Sequence, residues 1–205
     1  MSVRKGEATR EAVIGEALSC AAEVGLTGIS LGVLADRTRL SKSGLFAHFR
    51  SKEALQLAVL EEAVRRFGAT VVAPALQKPR GEPRLSALFR NYLGWIRGNK
   101  GGTGCIFQAL SQEYDDRPGP IRERLVRALG DWRAALARAA AQGVEEGHFR
   151  ADVEPDQIAY ELVGIAMVFH ESYKLLADPG AQDRALRAFE RLLAEARAAP
   201  ARRRR

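Results

Sequence analysis

Only two cysteines, Cys20 and Cys105, occur in the 205 residues. That excludes a disulfide framework and fits a reducing cytoplasm. Long apolar runs are missing too. The longest uncharged one, Leu162 to Phe169, is far too short to cross a bilayer. The opening Met-Ser-Val-Arg-Lys-Gly-Glu lacks the apolar core of an export signal, so a cytoplasmic protein with no membrane partner is expected. Alternation with a period of two is nowhere sustained, which argues against a sheet. Catalytic and cofactor signatures are equally scarce. His170-Glu171 has no second histidine at metalloprotease spacing, and no Cys-His cluster suits zinc. Gly98 to Gly104 does not end in the Gly-Lys-Ser/Thr of a phosphate loop, and Asp115-Asp116 beside Pro118 reads as a turn. Neither an enzyme, a metal nor a cofactor is expected. Cys105 opens a helix, where a thiol can be activated, but a quiet half-buried thiol is the plainer reading.

What is present is a globular composition, 46% apolar and 28% charged, long enough to bury a real core in one or two domains. The formal charge of +7 is unevenly spread. Residues 1–67 carry +2, residues 68–201 carry +1, and Arg202 to Arg205 supply +4. The overall charge is therefore weak support for a nucleic-acid partner, and the tail reads most simply as a solvated end. The local distribution says more. Arg37, Arg39, Lys42, Arg50 and Lys52 fall within 37–52, a segment with no acidic residue.

That segment also has a recognisable rhythm. Two short apolar-periodic stretches, Leu31 to Asp36 and Lys42 to Phe49, each follow a serine able to cap a helix, Ser30 and Ser41. Residues 37–40 lie between them, and Ser51 begins the next helix. A tight helix-turn-helix with a cation-flanked second helix is a standard way to place side chains in a DNA major groove. Lys42 and Ser43 sit at the start of that helix, where they can meet base edges, and Gly44 allows close backbone approach. Arg37 and Arg39 suit phosphates. His48 suits a phosphate or a base, or else caps or packs. Phe46 suits the sugar backbone or a thymine methyl, or else the core. Leu45 and Phe49 are expected in the core.

From about Thr9 to Leu60 the chain resembles the tetracycline-repressor-like (TetR) transcriptional regulators. The likeness rests on the apolar first helix followed by Gly25, on Ser30, on Leu34-Ala35, on Ser41 through Phe49, and on Ser51-Lys52-Glu53-Ala54-Leu55. It implies that the segment after Ser41 is the recognition helix and that Lys52 meets a phosphate. The candidate DNA contacts are thus Ser30, Arg37, Arg39, Ser41, Lys42, Ser43, Gly44, Phe46, His48 and Lys52. Three positions depart from the family pattern. Phe46 replaces a tyrosine, Gly32 a commonly polar residue, and Arg39 the turn glycine, where a left-handed backbone would cost about 1 kcal/mol.

The rest reads as all-α, about nine helices in total. Residues 1–8 are expected to be disordered. Thr9 starts a helix with Val13, Ile14, Ala17, Leu18, Ala21 and Val24 on one face, and with Leu31, Leu34, Leu40, Leu45, Phe46 and Phe49 it builds a three-helix core. A fourth helix runs from Lys52 to about Val72, stopped by Pro74, and forms the mechanical link. Further helices are expected over 85–99, 105–114, 121–146, 154–177 and 181–198, with a break at Gly101 to Gly104. The domains are then 1–51 for DNA binding and 52–205 for the linking helix, effector binding and dimerisation.

The resemblance further implies an apolar chamber for a small, apolar or aromatic effector. Helical phase nominates Tyr92, Trp95, Ile96, Phe107 and Leu110 for its wall, with Tyr92, Ser111 and His170 as polar handles. It also implies a homodimer on a palindromic operator, paired through the last two helices. The seam candidates are Ile158, Leu162, Ile165 and Phe169 on one, and Leu186, Phe189 and Leu193 on the other. The competing reading is a small-molecule-binding protein or enzyme with a vestigial DNA-binding head. Salt-sensitive, sequence-selective DNA binding separates the two.

Overall fold

The computed structural model describes residues 2–98 and 105–198. The Gly101 to Gly104 break and the Arg202 to Arg205 tail lie outside the described residues, as does the side chain of Phe46. The order of elements is α1 (Ser2–Val24), α2 (Leu31–Thr38), α3 (Lys42–His48), α4 (Lys52–Phe67), a π-helical turn (Gly68–Val72) and α5 (Ala73–Leu76). Then follow α6 (Glu82–Arg97), α7 (Ile106–Tyr114), α8 (Pro120–Glu145), α9 (Pro155–Lys174) and α10 (Ala181–Ala196). Counting α4 through α5 as one helical stretch, the all-α reading with about nine helices stands among the described residues. An isolated antiparallel bridge joins Phe149 to Arg197. No helix among the described residues is long and apolar enough to cross a membrane.

Two compact units result: residues 1–67 with 103–129, and residues 68–102 with 130–205. In the first, Val13, Ile14, Ala17 and Ala21 of α1 recur at helical spacing and are buried with Leu34, Leu45, Leu55, Val59 and Leu60. Leu26 and Ile29, on the turn after α1, belong to the same core. Val24 does not: it is 57% exposed, because the chain leaves the helix at Gly25 and Leu26 closes the end of the core instead. Ile121 and Leu125 of α8 are buried in this unit too. Arg124 forks onto Glu61 of α4, at 2.6 and 2.9 Å, and that hydrogen bonding holds the Glu61 carboxyl below the usual carboxylate range.

In the second unit α6, α9 and α10 share a core of Leu85, Leu88, Phe89, Ile96, Leu162, Phe169, Phe189 and Leu193. Phe89 and Phe189 stack at 4.5 Å, 16° from parallel. Gly143 of α8 is required by close approach, since a Cβ there would sit 2.3 Å from the Phe149 ring.

Two expectations about helix ends need correcting. Residues 2–8 are helical, the first turns of α1. Apart from Gly6, that stretch holds no residue that opposes a helix strongly. Pro74 does not stop the fourth helix. It occupies the first turn of α5, where its missing N–H costs least, and the wider π turn before it relieves the ring's clash with the preceding turn.

Candidate nucleic-acid interface

The recognition helix α3 forms because Ser41, in extended conformation at φ −70° and ψ 155°, caps it: Ser41 Oγ accepts from Gly44 N at 3.0 Å. Ser43 Oγ lies 2.9 Å from Ser41 Oγ. Leu45 and Phe49 are buried, 1% and 4% exposed, which anchors one face. Ser41, Lys42, Ser43 and Ala47 are exposed on the other, while Gly44 and His48 are half-buried. Ser51 caps α4 in the same way, accepting from Ala54 N at 3.0 Å. Ser30 is the exception. It occupies the N-cap position of α2 but its side chain makes no capping bond, so only its carbonyl starts the helix, accepting from Leu34 N at 2.9 Å. The capping role read for Ser30 is therefore corrected. Its hydroxyl is not committed to the helix.

The departure at Gly32 has a visible consequence. A side chain at Gly32 would begin 3.6 Å from Lys42 Cε and 3.9 Å from its Nζ, so the end of Lys42 lies over the first turn of α2. Arg37 is directed back to α1, its Nη1 lying 3.2 Å from Glu16 Oε1 and 3.2 Å from Cys20 Sγ. Lys52 donates to the Thr27 carbonyl at 2.9 Å. Arg10 of α1 lies over the Phe49 ring at 5.1 Å. Of the segment's cations, Arg39, Lys42, Arg50 and Lys52 are exposed, with Arg37 turned to α1 and Lys52 held on the Thr27 carbonyl.

Arg39 is left-handed, φ 55° and ψ 31°, as its place in the turn implies. Arg39→Gly should therefore stabilise the fold by about 1 kcal/mol while removing a cation. Chemical denaturation and DNA titrations at several salt concentrations check both halves. A less stable glycine variant would show that the left-handed turn carries no strain.

The chamber candidates divide between the units. Phe107, Leu110 and Ser111 belong to the first, Tyr92, Trp95, Ile96 and His170 to the second. Tyr92, Ile96, Phe107 and Leu110 are buried, and Trp95 is half-buried. Phe107 meets Phe67 edge-on at 5.5 Å. Tyr92 meets Trp132 at 5.2 Å and 63°, a neighbour that helical phase did not bring out. Ser111 donates to the Phe107 carbonyl at 2.8 Å, which spends its proton within its own helix. Burial, reinforced by Lys174 one turn away, pushes the His170 pKa down, which favours the neutral ring. Cys105 is buried, 2% exposed, deeper than the half-buried thiol expected.

Of the seam candidates, Ile158, Leu162, Phe169, Phe189 and Leu193 are buried within the single chain, while Ile165 and Leu186 are half-exposed. The large apolar side chains that α9 exposes are Tyr160, Met167, Val168 and Tyr173, at 69%, 53%, 62% and 38%.

A capped seven-residue helix presenting Lys42 and Ser43 among cations, on a rigid apolar base, defines a helix-turn-helix DNA-binding protein. Comparison with known proteins places it further. The profile described as bacterial regulatory proteins, tetR family, matches residues 13–59, and that of the tetracyclin repressor-like C-terminal domain matches residues 81–189. The chain belongs to the TetR family and is a DNA-binding transcriptional regulator. It is similar to the HTH-type transcriptional repressor DhaR of Mycobacterium sp. (strain GP1), 26% identical over 141 residues, which cover 69% of this chain and 70% of that protein. With the HTH-type transcriptional regulator TcmR of Streptomyces glaucescens it is 28% identical over 180 residues, covering 85% and 77%. Its fold matches that of a TetR-family regulator from Cytophaga hutchinsonii with a TM-score of 0.83 at 20% identity, covering 95% of this chain and 98% of that one.

Proposed function

We propose that this regulator represses transcription as a homodimer on a two-fold symmetric operator and responds to a small apolar or aromatic effector. Residues 1–51 read DNA, and 52–205 carry the linking helix, the effector site and the dimer seam. The observation that carries the reading is the exposed, Ser41-capped start of α3, with Lys42 and Ser43 free of any acidic neighbour in the segment.

One short recognition helix spans too few base pairs for specificity, and paired heads must sit about 34–36 Å apart to use successive major grooves. What supports the pairing is the exposed apolar face of α9. Val168 and half-exposed Ile165 line a groove with Gly164 and Ser172 of α9 and Ala185 and Ala188 of α10. Two copies facing each other there would bury the same patch twice, as a two-fold interface requires. For the effector, the support is the buried aromatic pair Tyr92 and Trp132 together with His170, whose neutral form is favoured. To change operator occupancy 100-fold, the effector must favour one state over the other by about 2.7 kcal/mol.

Selection of bound duplexes from a random DNA pool at stated salt tests the DNA reading. The expected result is two inverted half-sites with centres about one helical turn apart, or a multiple of it. Recovery of no enriched sequence would favour a protein whose head no longer reads DNA.

A further inference from the structure

The turn joining α1 to α2 is held by a residue far from it in sequence. Gly25, at φ 74°, ends α1 with its N–H donating to the Ala21 carbonyl at 2.9 Å. The two backbone N–H groups that follow turn to a side chain rather than back to α1. Both go to one carboxylate. Leu26 N donates to Glu113 Oε2 at 3.0 Å and Thr27 N to Glu113 Oε1 at 2.6 Å. The carbonyls of the same two residues are taken from α4. Gln56 Nε2 donates to Leu26 O at 2.8 Å, and Lys52 Nζ donates to Thr27 O at 2.9 Å. Every polar backbone group of Leu26 and Thr27 is thus satisfied by a side chain, the donors by α7 and the acceptors by α4. The fit is close: a Cβ on Gly25 would lie 2.9 Å from Glu113 Oε2.

Resting on the DNA-binding reading, we propose that Glu113 is a positioning residue for DNA recognition, fixing the α1–α2 turn and through it the pose of the recognition helix. Thr27 is three residues from Ser30, where α2 starts, and α2 leads through left-handed Arg39 into α3. Helix α3 has seven residues and grips the core through Leu45 and Phe49, so its direction depends on how α2 is held. The acceptors' partners come from the linking helix α4, and Glu113 reaches the same turn from α7, in the same compact unit but 86 residues along the chain from Thr27. Any movement of α7 is therefore passed to the turn by two charge-assisted hydrogen bonds.

The test compares wild type, Glu113→Gln and Glu113→Ala on the selected operator and on a scrambled duplex, with thermal melts and amide exchange of Leu26 and Thr27. Glu113→Ala should lose about tenfold or more in operator affinity, change less than about twofold on the scrambled duplex, and exchange both amides faster. The glutamine, which keeps one acceptor, should fall between. The sign is informative. Deleting an acidic group near DNA by itself raises affinity for any duplex, the opposite of the expected loss on operator. Faster exchange with unchanged operator affinity would overturn the proposal and leave Glu113 a structural cap. Equal losses on both duplexes would overturn it as well. If the alanine variant has no cooperative melt, Glu113→Gln carries the same comparison. A wild type that fails to distinguish operator from scrambled duplex would defeat the DNA-binding reading itself, a different outcome.

Discussion

Val168→Glu is expected to convert the proposed dimer into a folded monomer of 22.4 kDa that binds the operator poorly. Val168 is 62% exposed in the single chain and lines the α9–α10 groove, so a carboxylate there remains solvated in the monomer. In the proposed dimer two such charges would be brought into the seam, where the groove also holds Glu161 and an Arg184 already paired with Asp178. Burying a carboxylate without a free cation to pair it costs several kcal/mol, which opposes association. Operator binding falls because the two heads no longer act together. Leu193→Glu provides the contrast. Leu193 is 1% exposed in the α6–α9–α10 core, so its replacement should unfold the second unit rather than separate copies. Light scattering with circular dichroism distinguishes the two. A wild-type mass near that of one chain, with full operator affinity, would end the dimer proposal.

Lys42→Ala should lower affinity for the selected operator by about ten- to a hundredfold, the range of one good base contact. Lys42 is exposed at the start of α3, one residue after the Ser41 cap, and its end is supported by the space above Gly32. A contact to a phosphate alone predicts a different pattern: a uniform loss across sequences and a salt slope smaller by about one. Titrating wild type and variant on operator and scrambled DNA at three salt concentrations reads both. Unchanged operator affinity at physiological salt would remove Lys42 from the interface. His48 is half-buried on the same helix, so its replacement needs a melt alongside the titration.

The legible parts of this site are those whose parts are close in sequence. Ser41 and the helix it caps, the burial of Leu45 and Phe49, and the left-handed Arg39 all follow from residues within a few positions of each other. Ser30 shows the limit of that reasoning. It has the residue type and the extended backbone of a cap, yet its hydroxyl makes no capping bond. Pro74 shows another limit, because whether proline stops a helix depends on the turn before it, and a π turn was not written in the pattern. Gln56 and Glu113 carry no local signal. Each is an ordinary polar residue on a helix until the fold brings it to Leu26 and Thr27.

Local sequence determined that the described residues form an all-α fold and that a cation-flanked helix-turn-helix lies near residues 30–52, because capping, helical spacing and local charge are properties of neighbouring residues. Which apolar face of α9 turns inward was decided by tertiary packing. Hydrophobicity marks Leu162 and Phe169 as it marks Met167 and Val168, but only the first two find α6 and α10 around them. Packing likewise decided that the turn entering the DNA-reading pair is gripped from α7. Two backbone N–H groups and a carboxylate 87 and 86 residues away become partners only when the chain has folded, since their attraction acts over a few ångströms and nothing in the intervening sequence encodes it.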